Sequence, residues 1–388
     1  MTAKQRFKKI VLVLHLWLGL ITGLVVFIIA ITGAIYCFAP ELQNMTQHYH
    51  SVQPQQQAYL PPSRLKAIAE KQLPGKPAKS IYYGPPGKAS YVLFYGDDGY
   101  YYSVFINPYT GQVLKLKNMR RDFFNIVLYL HISLLIPYGD QVVHWCTLVF
   151  LLMIVSGIIL WWPRNKAARK QRFSVKWGAS PKRLNYDLHN VLGFYASWIT
   201  LFIVITGLIW SFDWFAKGVY RISGTQHSII QENPPLSDTT KAIAASGNSS
   251  TTDKVWQTLQ AEMAHTYVAA ELMLPQTAAA PLCIRATPDE DTYYKADMRY
   301  FDQYTAKEFA GAYVWGRRTD AHTVADKIKR MNYDIHVGAI GGWPGRIAVF
   351  FAALIAASLP ITGFMIWRHK GARIRANKRE SLTRIAAN

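Results

Sequence analysis

Charge is what this chain has least of: 17% of its 388 residues are Asp, Glu, Lys or Arg, against about a quarter in an ordinary soluble domain. Together with 51% hydrophobic and 14% aromatic content, that scarcity excludes an ordinary cytosolic enzyme. Acids are scarcer still, 23 against 43 basic residues, for a formal net charge of +20. Such a surplus spread over a folded surface would indicate nucleic acid, but it is concentrated. Four basic residues fall within 1–10, eight within 164–183, and seven within 368–388 beside the single acid Glu380. All three clusters border long apolar runs, so the implied partner is membrane lipid and not nucleic acid. Cysteine is rare as well. Cys37, Cys146 and Cys283 are an odd number without metal-ligand spacing and are expected to be free thiols. Neither a G-x-G-x-x-G after a strand nor a Walker loop occurs. The glycine-rich stretch 338–345 lacks the context for phosphate binding and reads as a turn.

Four segments contain no Asp, Glu, Lys or Arg: 10–38, 141–163, 188–212 and 347–367. Each has the roughly 20 residues that a helix needs to cross about 30 Å of hydrocarbon. The positive-inside rule puts both termini and the 164–184 loop in the cytoplasm. Trp161, Trp162 and Trp367 then lie at cytoplasmic ends and Trp210 and Trp214 near the other face. The first segment exceeds a secretory apolar core and lacks a small-residue cleavage site, so it is expected to be a retained anchor.

The two intervening segments lie outside. In the first, helical periodicity at 63–73 precedes alternation at 81–83, 91–95 and 100–106; in the second, a helix around 255–263 precedes strands at 271–274, 282–286 and 292–301. Each reads as a small α+β module. The Ser-, Thr- and Ala-rich residues 236–253 read as a joint, and the apolar run 123–138, interrupted by Pro137, as an interfacial or tucked-in helix. The expected order is a first transmembrane helix (1–38), a module (39–122), an interfacial helix with the second transmembrane helix (123–163), and a basic loop (164–184). A third transmembrane helix (185–214), a second module (215–330), a His-bearing turn with the fourth transmembrane helix (331–367), and a basic tail (368–388) complete it.

Self-similarity is the strongest signal. His15-Leu-Trp-Leu-Gly19 followed by Thr32-Gly33 recurs without a gap as His189-Asn-Val-Leu-Gly193 followed by Thr206-Gly207, 18 residues from His to the last Gly in both. Leu130-His131 ahead of Ser156-Gly157 and Trp161-Trp162-Pro163-Arg164 recurs as Ile335-His336 ahead of Thr362-Gly363 and Ile366-Trp367-Arg368. The fold class is therefore a four-helix transmembrane bundle from an internal duplication, with two small α+β modules outside.

A parallel repeat places His15 and His189 at equal depth, roughly 9 Å in from the cytoplasmic side, and His131 with His336 near the outer face. One buried histidine is ordinarily a packed, hydrogen-bonded imidazole. Two pairs at two matched depths suit the axial positions of two haems, with Gly19, Gly23, Gly33, Gly193, Ala196 and Gly207 leaving room. No Cys-x-x-Cys-His occurs, so any haem would be held without thioether links. His144 also lies near the outer face but has no repeat counterpart, and reads as supporting the outer pair.

These motifs, with Tyr186-Asp-Leu-His189, Asp334-Ile-His336 and Trp343-Pro-Gly345-Arg346, resemble the PepSY-associated transmembrane family of bacterial inner-membrane proteins over nearly the whole chain. The stretch Val104-Phe-Ile-Asn-Pro-Tyr-Thr-Gly111 looks like the end of a PepSY module. The corresponding Asp302-Gln303-Tyr304-Thr305-Ala306 lacks its Pro and Gly, which leaves its turn open to differ. The resemblance implies a haem-dependent reductase of iron-loaded hydroxamate siderophores, holding two b-type haems and working on the periplasmic side with electrons from a separate donor, quinol or a cytosolic reductant. Tyr100, Tyr101, Tyr102, Trp343 and Arg346 are candidates for a substrate surface, although alternating tyrosines more often pack a sheet. Two competing readings are a haem-free PepSY sensor or protease regulator, and a transporter or proton relay; the latter would call for buried carboxylates, which the four uncharged segments lack.

Overall fold

The computed structural model describes residues 2–163, 172–224, 234–242, 251–263, 265–311, 315–320 and 323–386. Parts of the expected basic loop and of the 236–253 joint, and both His227 and His322, fall outside them. The chain divides into two compact units.

The first unit comprises residues 1–37, 127–215 and 335–388. Four helices in it are long and apolar enough to cross a membrane: Ala3–Tyr36, Gly139–Trp161, Pro181–Ser211 and Ala339–Lys370, the first to fourth spans. Neighbours pack in a closed ring, first on second, second on third, third on fourth and fourth on first. Small residues set the approach: a Cβ on Gly23 would stand 3.1 Å from Pro360, and one on Gly193 would stand 3.3 Å from Leu359. Outward-facing Ile21 and Leu24 are 74% and 72% exposed, an arrangement stable in hydrocarbon and not in water.

Two details bear on the histidines. The third span contains a π-helical turn, Leu188–Leu192, centred near His189; such single turns carry one extra residue per turn and re-aim side chains. The apolar helix Phe123–Ser133 carries His131 and turns sharply into the second span. Leu134, Leu135 and Tyr138 all adopt positive φ there, and a Cβ on Gly139 would collide with the Ser133 carbonyl. His336 ends its own helix, Val324–His336, ahead of a turn in which Gly338 and Gly342 have φ of 79° and 59°.

The second unit, residues 38–126 and 216–334, departs from the two modules expected. Strands β1 (Ser80–Tyr83), β2 (Ser90–Tyr95), β3 (Tyr101–Ile106), β4 (Val113–Asn118), β5 (Ala269–Met273), β6 (Leu282–Thr287) and β7 (Asp297–Phe301) form one sheet. Its order is β4-β3-β2-β1-β5-β6-β7, antiparallel throughout. The join is β1 to β5, with Ser80 opposite Met273. Helices Pro62–Gln72 and Thr251–Met263 cover one face, and a single core runs beneath both: Tyr83 of β1 stacks on Trp256 of the second helix, with ring centroids 3.9 Å apart. Burying a strand edge against another strand satisfies its backbone groups, so two open three- and four-stranded pieces are better paired than apart.

The turn left open by the sequence is the same in both places. Asn107 Oδ1 accepts from the Tyr109 and Thr110 amides, and Asp302 Oδ1 from those of Tyr304 and Thr305. Ala306 takes the left-handed conformation, φ 61°, that Gly111 takes at 79°.

Candidate functional site

All four repeated histidines meet a hydroxyl on a neighbouring span through Nδ1. His15 lies 2.8 Å from Ser156 Oγ, His189 2.9 Å from Thr362 Oγ1, His131 3.2 Å from Thr32 Oγ1 and His336 2.9 Å from Thr206 Oγ1. The direction of these bonds follows from where the hydroxyl protons go. Ser156 donates to the Met153 carbonyl, Thr362 to those of Ser358 and Leu359, Thr32 to Ile28 and Ile29, and Thr206 to Phe202 and Ile203. A hydroxyl that has given its proton to its own helix can only accept, so each imidazole donates from Nδ1. At His131 and His336 the Ile29 and Ile203 carbonyls, 2.8 and 3.0 Å away, require the same. In its neutral form each ring then carries the proton on Nδ1 and leaves the Nε2 lone pair available to a metal.

The residue after each hydroxyl is glycine, and the ring lies over it. A Cβ would stand 3.0 Å from His131 Cε1 at Gly33, 3.2 Å from His189 Cε1 at Gly363, 3.4 Å from His15 Cε1 at Gly157 and 3.6 Å from His336 Cε1 at Gly207. The Ser/Thr-Gly dipeptide is therefore a seat, with the hydroxyl fixing the tautomer and the glycine admitting the ring. Within each half of the chain the seating is reciprocal: the first span seats His131 while the second seats His15, and the third seats His336 while the fourth seats His189.

Between the halves the histidines come together in two pairs. His15 and His189 line one cavity of about 460 Å³ within the four spans, inside the range of cofactor sites. Its lining is mainly apolar, with Gly19, Gly23, Gly157, Gly193 and Gly363 opening its walls. His131 and His336 lie with ring centroids 6.1 Å apart at 73°. Trp210 meets His336 edge to face at 5.2 Å. Seats within one span, Thr32 and Thr206, are each 17 residues beyond His15 and His189, so the two pairs are separated by roughly 25 Å of helix rise.

The remaining predicted residues are placed differently. His144 lies against Phe212, centroids 5.9 Å apart, with no contact to the other histidines among those described. Tyr100 and Tyr102 pack against the sheet core and Tyr101 meets Tyr95 edge to face. Trp343 is 54% exposed, but Arg346, expected on a surface, is 6% exposed. Its Nε donates to the Cys37 carbonyl at the end of the first span, 3.0 Å away, and its guanidinium lies against Trp343. A side chain so occupied ties the fourth span to the first. All three cysteines are free thiols, as expected. Sequence reasoning missed the hydroxyls, although the recurrent Ser/Thr-Gly dipeptide was their signal.

With this geometry in hand, comparison with known families is informative. The model of the PepSY-associated TM region matches residues 12–370, nearly the full length. No curated protein matches the chain.

Proposed function

The chain belongs to the PepSY-associated TM family of membrane proteins, and on that premise we propose that it is a di-haem transmembrane electron carrier. In this reading it reduces Fe(III)-siderophore to Fe(II) outside the membrane, so that iron is released. The observation that carries the reading is the set of four imidazoles seated through Nδ1 and brought together in two pairs.

The donor set fits haem better than a bare ion. Among the described residues no three His, Cys, Asp or Glu side chains converge, and two imidazoles alone fall short of the four to six donors that zinc or other transition ions take. A porphyrin brings four nitrogens and needs two more. The 6.1 Å between the His131 and His336 centroids also accommodates two imidazole–metal bonds of about 2 Å each. Haem, when bound, supplies one-electron chemistry at a potential set by its axial ligands and surroundings.

The protein's own part is positional. Ser156, Thr362, Thr32 and Thr206 orient the rings with Nδ1 toward the hydroxyl, the glycines admit the rings, and the apolar walls exclude water. With haem bound, two imidazoles at each site would leave no position for oxygen, which would favour transfer over oxygen chemistry. In our reading the protein is a product of two copies of one unit. It lies in the bacterial inner membrane with both termini cytoplasmic and the sheet-bearing segments periplasmic, as the basic clusters suggest. One electron per ferric ion comes from a separate donor, quinol or a cytosolic reductant. Hydroxamate chelates are assigned by resemblance to the ferrioxamine reductase FoxB: their hard oxygens hold Fe(II) far less tightly than Fe(III), so release follows from reduction.

The test is the visible spectrum of detergent-purified protein before and after dithionite. Two b-type haems are expected, one lost on His15→Ala or His189→Ala and the other on His131→Ala or His336→Ala. A colourless protein, despite haem supply during expression, would favour the haem-free sensor reading. Mixing reduced protein with ferrioxamine should reoxidise it; no reoxidation would remove the siderophore claim and spare electron transfer.

A further inference from the structure

The cavity between His15 and His189 is polarised in a way that haem ligation alone does not require. Its lining follows the first span from Leu12 to Val26 and the fourth from Ala356 to Lys370, roughly 20 Å of rise along each. Over most of that length the wall is hydrocarbon, aromatic ring and glycine. Among its described lining residues Arg172 and Lys370 are the two permanent cations, and none is a carboxylate. Both belong to the end where the first span begins and the fourth ends. Trp161, which stacks on Phe194 at 3.6 Å, donates from Nε1 to the Arg172 carbonyl at 3.2 Å, fastening that residue's backbone to the wall. A cavity apolar along its length and doubly cationic at one end matches a flat apolar ligand bearing two acids on one edge.

We propose that Arg172 and Lys370 receive the two propionate carboxylates of the haem held by His15 and His189, and so fix which edge of the ring points to the chain-terminal end of the bundle. This rests on the di-haem reading above. The two residues are positioning groups: they orient the ring without ligating iron. Arg172 is the stronger of the two, because it is partly buried and its planar fork matches a carboxylate, whereas Lys370 is exposed.

The experiment uses the full-length protein in detergent, stripped of haem and reloaded with either ferric protoporphyrin IX or its dimethyl ester, which cannot carry the two negative charges. Haem loss to excess apomyoglobin is followed at the Soret band, and the phase belonging to this cavity is the one absent from His15→Ala. In the unaltered protein the ester is expected to leave about 4- to 25-fold faster, from about 2- to 5-fold for each of two partly exposed ion pairs. In R172Q/K370Q the native haem should leave at the ester's rate, and esterification should then change nothing. Lys4→Gln, remote from the cavity lining, should behave like the unaltered protein. Equal rates for acid and ester in the unaltered protein would overturn the proposal, and so would an ester effect that survives in the double variant. If the double variant does not fold, the comparison in the unaltered protein still decides. Failure to take up either compound would overturn the di-haem reading itself, whereas uptake without an ester effect removes only the orientation.

Discussion

Ser156→Ala is the most informative single change. Ser156 Oγ is the one hydrogen-bond partner of the His15 ring among the described residues, at 2.8 Å, whereas His336 keeps the Ile203 carbonyl at 3.0 Å if its threonine is lost. Removing the hydroxyl leaves a donor without its acceptor in an apolar cavity, a penalty of about 1–3 kcal/mol. It also frees the ring to turn or to exchange tautomers, which puts a proton on the nitrogen that faces iron in the di-haem reading. At about 1.4 kcal/mol per tenfold, haem should leave the His15 site roughly 5- to 150-fold faster, in line with the roughly 10- to 100-fold effect usual for partners of metal-bound histidines. Thr206→Val should change loss from the other site by no more than about threefold, the low end of a net hydrogen bond. Haem transfer to apomyoglobin supplies the rates, and low-spin EPR signals report whether the axial imidazoles have moved. Equal effects of the two substitutions, or none from Ser156→Ala, would refute the tautomer argument.

Four further outcomes are expected. Alanine at the seat glycines should disturb ligation in the order Gly33, Gly363, Gly157, Gly207, following hypothetical Cβ distances of 3.0, 3.2, 3.4 and 3.6 Å to the rings; haem content per protein checks the ranking. Ala306→Gly should raise the apparent Tm of the sheet-bearing unit, because relief of a left-handed alanine, about 1–2 kcal/mol, exceeds the entropic cost of glycine, about 0.5–1 kcal/mol. Burial and the nearby Lys117 and Lys88 push His50 down to about 4. Its neutral form therefore contributes stability that is fully present above the unfolded value near pH 6.5 and is lost as pH falls through about 4. Discounted for partial solvent access, that loss is about 1–2 kcal/mol, and His50→Gln should flatten the decline in apparent Tm between pH 7 and pH 4. Arg346→Gln leaves the Cys37 carbonyl without its buried partner and should cost about 1–3 kcal/mol, read as a lower apparent Tm in detergent.

The spans were legible because hydrocarbon imposes a length and forbids charge; the second kept its bounds to within two residues, the first begins seven residues earlier, at Ala3, and the third and fourth are extended as well. There the helix continues into polar sequence, beginning at Pro181 and running past Trp367, since water tolerates what lipid does not. The histidines were legible by repetition, but their seats were not: nothing in a linear sequence says that Ser156 meets His15 across 141 residues. The π-helical turn at His189 has no sequence signature. Strand β4 went unread although Leu114 and Leu116 alternate with Lys115 and Lys117, because it is a short edge strand with no residue fully buried and so carries little apolar signal. The pairing of β1 with β5 was invisible for a different reason. Both strands have ordinary alternation, and each could as well have been the rim of its own small sheet.

That pairing has a consequence for biosynthesis. Ser80 waits for Met273, 193 positions later, which at about 5–20 residues per second is some 10–40 seconds of translation. During that interval the first half displays a bare β1 rim carrying Tyr82 and Tyr83, open to strangers. A chain truncated before Ala269 should accordingly be a target for quality-control proteases, even with its leading pair of membrane helices intact.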